Sequence, residues 1–164
     1  METAISSYGH VLEESLNVSA QIDEIEELFN IFLEESKYPI KKPRDEAQML
    51  SMVKNFFHKR KSEIQNIREN SLLSNSDCIS LSTIACLLAN RRGFNTKIAH
   101  PKALHRSLHA LLIQEDGTMF QIAGKYRNYV TQILQPPEVV KRIKLIKPLF
   151  DVTKKLGLNV RSSR

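Results

Sequence analysis

Between Gln21 and Ser36 the apolar side chains fall at Ile22, Ile25, Leu28, Phe29, Phe32 and Leu33, spacings of three and four that place them on one stripe of a helix. Ser19 stands where an N-cap would, and the residues before it read as a frayed start. The outer face of this helix is acidic, and its early carboxylates suit the positive end of the helix dipole. "YPIKKPRD" then stops it, because two prolines and a basic cluster do not continue a helix. A longer second helix is predicted from Asp45 to Asn70, with Met49, Met52, Val53, Phe56, Phe57, Ile64 and Ile67 on its apolar side. His58 sits among Lys59, Arg60 and Lys61 in the solvated stretch "FHKRKSEIQ" and reads as exposed.

Polar turn residues in "SLLSNSDC" lead into "CISLSTIACLLANRR", which is apolar almost all the way round, the pattern of a helix buried on most sides. Gly93 suits a left-handed C-cap, with Arg91 and Arg92 in the last turn. The hydrophobic period then shortens to that of strands. "FNTKIAH", "LHALLIQ" and "TMFQIAG" are strand candidates, and "EDG" between the last two supplies the positive φ angles of a hairpin turn. After Gly124, "KYRNYVTQILQ" fits helix or strand, and "PEVVKRIKLIKPLFDVTKKLGL" fits a basic amphipathic helix interrupted near Pro148. The expected fold class is α+β: a buried, cysteine-bearing helix packed on a small antiparallel sheet, with two helices before it and a basic helical region after it.

A chain of 164 residues can bury a core without staples, and one domain over residues 1–164 is expected, with a helical part to residue 70, a central block at 77–124 and a basic part at 125–164. No apolar run approaches the ~18 residues that span a bilayer. The start, "METAISSYGHVLEESL", has neither basic residues nor an apolar stretch, so a cytoplasmic protein with no membrane partner is expected. Cys78 and Cys86 are eight residues apart in one helix, about 12 Å at the helical rise, too far for a disulfide.

The net charge of +6 is unevenly spread. Residues 1–40 hold nine carboxylates against Lys37, whereas residues 125–164 hold ten basic side chains against Glu138 and Asp151. Two uses are open for the basic end: a solvated face partly neutralised by the acidic helix, or a surface for nucleic acid with Tyr126 and Tyr129 as stacking platforms. Five scattered glycines exclude a phosphate-binding loop, and no cofactor is expected. No metal is expected either, since His105 and His109, four apart, fall across a loop-to-strand boundary and lack partners at ligand spacing.

The candidate chemistry lies at Cys78. A cysteine just inside a helix N-terminus, capped here by Ser76 or Asn75, sits near unpaired N–H groups that stabilise a thiolate and can receive an oxyanion, although the carboxylate of Asp77 opposes the first effect. A base for such a thiol usually comes from a neighbouring strand. Of His100, His105 and His109, the last begins a strand and is the best placed. Cys86, two turns deeper, reads as core.

These residues resemble the transglutaminase-like domains, whose fold is related to papain-like cysteine proteases. The family's pattern is a cysteine opening a helix rich in small apolar residues, a glycine leading into a strand, a histidine followed by alanine on a second strand, a glycine turn, and an aromatic-led strand closing with aspartate. "CISLSTIACLLANRRGFNTKIAH", "HALLIQEDG" and "MFQIAG" follow that order over residues 77–124. The resemblance implies Cys78 as nucleophile and His109 as general base, acting on a protein or peptide substrate by amide hydrolysis or acyl transfer. The family's aspartate falls at Gly124, with Ala123 beside it. A two-residue hairpin turn pairs His109 with Gly124; a three-residue loop pairs it with Ala123 and brings Gln121 to the same face, where it can orient the imidazole by a neutral hydrogen bond. The alternative is a catalytically degenerate descendant that binds a protein partner or nucleic acid through its basic C-terminal face.

Overall fold

The computed structural model describes residues 6–36, 42–75, 77–101, 109–123 and 131–156, and of 149–155 the backbone alone. The order of elements is α1 (Ser7–Leu16), α2 (Ser19–Glu35), α3 (Glu46–Lys59), α4 (Lys61–Arg68), α5 (Asp77–Arg91), β1 (Lys97–Pro101), β2 (Leu111–Ile113), β3 (Met119–Phe120), β4 (Thr131–Ile133) and α6 (Pro136–Lys155), with a short 3-10 turn at Leu72–Ser74. Helix and sheet are segregated along the chain, as expected of an α+β fold.

Helix α5 is the axis of this arrangement. Every residue from Ser82 to Asn90 is buried, together with Cys78, Ile79 and Ser80. Helices α1, α2 and α3 pack against it, as do β1 and β2. It ends at Gly93, whose φ of 89° lets the N–H groups of Gly93 and Phe94 turn back onto the carbonyls of Asn90 and Ala89. The sheet order is β3-β2-β1-β4, and every neighbouring pair is antiparallel. Ile98 and Leu112 belong to the main core with Ile84, Leu87 and Leu88 of α5, whereas Ala99, Leu111 and Ile113 form a separate buried cluster, as strand alternation requires.

Four expectations are corrected. The stretch read as a frayed start is helical: Ser6 caps α1 by accepting from the Gly9 N–H, and Leu12 and Leu16 are buried. Ser19 is therefore the first residue of α2 and caps nothing, since the turn is made by Asn17 at φ 54°. The long second helix is two helices that meet at Arg60, whose guanidinium pairs with Glu35 of α2 and Glu63 of α4. With α1 and this division, four helices rather than two precede the cysteine-bearing one. The ambiguous segment contributes β4, an added edge strand, and α6 runs on through Pro148.

The acidic face finds its counter-charges in the middle of the chain. Arg91 donates to both carboxylate oxygens of the buried Glu13, at 3.0 and 2.6 Å, and to Asp23 at 2.6 Å. Among the described residues the acidic carboxylates of α1 and α2 pair with Arg91 and Arg60, whereas six of the ten basic side chains of residues 125–164 lie outside the described ones.

Gly9 lies against α5 so closely that a Cβ there would come 2.4 Å from Asn90 Oδ1. Asn90 cannot easily yield, because its amide nitrogen donates to the carbonyls of Phe94 and Thr96, both at 3.0 Å. Gly9→Ala should therefore cost about 1–3 kcal/mol, as overpacking does, seen as a lower urea midpoint with an unchanged slope. A midpoint equal to the parent's would mean that α1 does not pack as described.

Candidate active site

Cys78 is the second residue of α5, and its Sγ lies 2.6 Å from Nδ1 of His109. Two side chains separated by thirty residues of chain are thus brought into contact across the junction of helix and sheet. The expected strand does not begin at His109: the regular ladder starts two residues later, at Leu111. What fixes its backbone is a pair of contacts on either side. The Ala110 N–H donates to Cys78 Sγ at 3.3 Å, and His100 Nδ1 donates to the His109 carbonyl at 3.2 Å.

His100 was among the three candidate bases, and it does not reach the thiol in the contacts described. Its role in the geometry is to hold the peptide of His109, which sequence spacing alone does not reveal. His105, Ser76 and Gly124 lie outside the described residues. Asn75, the other candidate cap, turns its side-chain amide back to the Leu72 carbonyl.

The hairpin takes the longer of the two loops weighed from sequence. Leu112 pairs with Phe120 and Ile113 with Met119, and Gly117, at φ 88°, closes a three-residue loop by donating to the Gln114 carbonyl. The ladder closes at Phe120, so the expected pairing of Ala123 with His109 lies beyond it, although the Ala123 carbonyl stands 4.0 Å from Cys78 Sγ. Gln121 follows β3 directly, and its backbone carbonyl accepts from Lys54 Nζ at 3.3 Å. Asp116 is exposed at the hairpin tip, where its carboxylate accepts from the Thr118 N–H at 2.9 Å.

Arg68 secures the start of α5. It is only 5% exposed, pairs with Asp77 at 2.8 Å and donates to the hydroxyl of Ser80. The helix is thereby clamped on both sides of Cys78.

The electrostatics reverse one expectation. A helix N-terminus lowers a thiol pKa, yet Cys78 is raised from an ordinary 9.0 to about 11, first by burial and further by the charge of Asp77; the Ala110 hydrogen bond opposes only part of this. His109 moves below its ordinary 6.5, again through burial and then through the nearby His100. Both shifts favour neutral forms, so the resting pair is a thiol beside an unprotonated imidazole; a thiol that donates to Nδ1 requires the ring proton on Nε2. Cys86 is buried completely, its Sγ donates to the Thr96 carbonyl at 3.3 Å, and burial pushes its thiol far up, as suits a core residue.

Comparison with family models, with curated proteins and with solved structures finds no match to this chain.

Two consequences can be measured. Asp77→Asn keeps an oxygen for Arg68 but removes the charge, so alkylation of Cys78 at pH 8 should speed up roughly threefold; an unchanged or slower rate would separate the carboxylate from the thiol. His100 and His109 both have lowered pKa values. The unfolded chain then binds protons that the folded one refuses, and stability is lost as pH falls below about 6.5. Urea midpoints should drop between pH 7.5 and 5.5, and the drop should shrink in His109→Gln. A drop of the same size in that variant would contradict a neutral, buried His109.

Proposed function

We propose that the chain is a transglutaminase-like thiol acyltransferase or amide hydrolase working through an acyl-enzyme. The observation that supports this reading is the 2.6 Å contact between Cys78 Sγ and His109 Nδ1 at the start of the buried helix. Cys78 attacks a carbonyl carbon as its proton passes to His109; the carbon–nitrogen bond breaks, and His109 returns the proton to the leaving amine. Water or a second amine then attacks the thioester and gives its proton to His109; the carbon–sulfur bond breaks, and His109 returns that proton to the Cys78 sulfur. The free N–H groups of the first turn of α5 are suited to the oxyanion.

A neutral dyad attacks by concerted proton transfer, because burial disfavours the separated charges. Its rate should be modest, should fall in acid as His109 takes up a proton, and should be level above neutrality, where the dyad stays neutral. The alternative reading, a degenerate domain that binds a protein or nucleic acid, is supported by α6, where Lys141, Lys144 and Lys147 are exposed beside Leu145 at 61%.

Incubation with p-nitrophenyl acetate or a peptide thioester, followed by mass spectrometry, separates the two. The enzyme reading expects acylation at Cys78, none at Cys86, and a loss of about a hundredfold in His109→Ala. Equal acylation in His109→Ala, combined with salt-dependent binding that survives Cys78→Ala, would favour the alternative.

A further inference from the structure

Beside the dyad lies a cleft of about 220 Å³ between α3, α4, α5 and the hairpin, lined by Lys54, Phe57, His58, Lys61, Ile64, Arg68, Asp77, Leu81, Ile122 and Ala123. Cys78 and His109 are not in its lining, but residues that touch or adjoin Cys78 are. Asp77 and Leu81 flank Cys78 along α5, and the Ala123 carbonyl stands 4.0 Å from Sγ.

The cleft has a definite chemistry. Phe57, Ile64, Leu81 and Ile122 give it apolar walls. Arg68 and Asp77 neutralise one another. That leaves Lys54 and Lys61 as net positive charge at its rim, and among the described residues no carboxylate pairs with either. Lys54 is held in place by the Gln121 carbonyl and lies 5.9 Å from the centre of the Phe120 ring. The volume is below the roughly 300–1,000 Å³ that whole small-molecule ligands occupy, so it suits one or two side chains of a longer chain.

We infer that this cleft is a specificity subsite of the proposed acyl-transfer centre, selecting peptide substrates that carry an acidic residue next to an apolar one near the reacting carbonyl. The inference rests on the dyad reading of Cys78 and His109. The apolar side chain enters between Phe57, Ile64, Leu81 and Ile122, and the carboxylate meets Lys54 and Lys61. Charge complementarity of this kind raises local concentration and governs which partner is accepted.

The test uses two matched probes, the N-chloroacetyl dipeptide amides of Leu-Glu and Leu-Lys, with chloroacetamide as a reference. Each forms a carbon–sulfur bond at Cys78 with loss of chloride, and intact-mass spectrometry follows the rate. The acidic probe should label the full chain about tenfold faster than the basic one, after scaling by the same ratio for a short cysteine peptide. Lys54→Glu/Lys61→Glu should abolish or invert that preference. Since Lys54 also braces the hairpin, Lys61→Glu alone should reduce it about threefold. A preference near one in the parent, or one untouched by both variants, overturns the subsite. The dyad is read separately: labelling by chloroacetamide that is as fast in His109→Ala as in the parent overturns the reading on which the inference rests, and a His109-dependent rate without probe preference overturns the cleft alone.

Discussion

A thiol and an imidazole in contact at a sheltered junction can persist only if the two elements carrying them are held rigidly, and α5 supplies that constraint. Its nearly continuous burial leaves it no freedom to slide or rotate without exposing apolar surface. Arg68 fixes its first turn through Asp77 and Ser80, and Gly93 ends it. Because the axis cannot move, Cys78 meets the sheet at one place, beside Ala110, where its sulfur both receives an N–H and faces His109.

The surrounding helices answer to the same constraint. Helix α1 reaches the upstream end of the sheet through Tyr8, whose hydroxyl donates to the Leu134 carbonyl at 2.8 Å and accepts from the Ile98 N–H at 3.3 Å. Glu46 at the start of α3 accepts from the Glu115 N–H at 2.8 Å and bonds the Thr96 hydroxyl, tying the hairpin to the helical layer. Glu13 and Arg91 join α1 to the end of α5 by a buried, charge-assisted pair. Burial of the dyad is thus a property of the whole helical wrap, and the same burial sets its charge state. The cost of ionising a sheltered thiol outweighs the benefit of the helix terminus, and the pair rests neutral.

Much of this was legible from residue spacing. The unbroken apolar surface of "CISLSTIACLLANRR" marks α5 as central, "RRGF" marks its end, and "EDG" marks the hairpin. The partnership of Cys78 with His109 was also readable, since one opens the helix and the other sits at the edge of a strand. What escaped was set by tertiary contacts. Tyr8, Leu12 and Leu16 recur every four residues, yet Gly9 in their midst lowers helix propensity, and its fit against Asn90 is visible only in three dimensions. The division at Arg60 needs no proline or glycine, so nothing in composition announces it. The pKa direction of Cys78 could not be read from position in a helix, because solvent exclusion is decided by what packs above the site.

The 15N chemical shifts of the His109 imidazole, followed from pH 5 to 9, test the central contact most directly, since they report which nitrogen carries the proton. A thiol donating to Nδ1 predicts a neutral ring protonated on Nε2 throughout the neutral range, with an Nδ1 signal that shifts in Cys78→Ala. A ring protonated on Nδ1, or shifts indifferent to the loss of the sulfur, would contradict it.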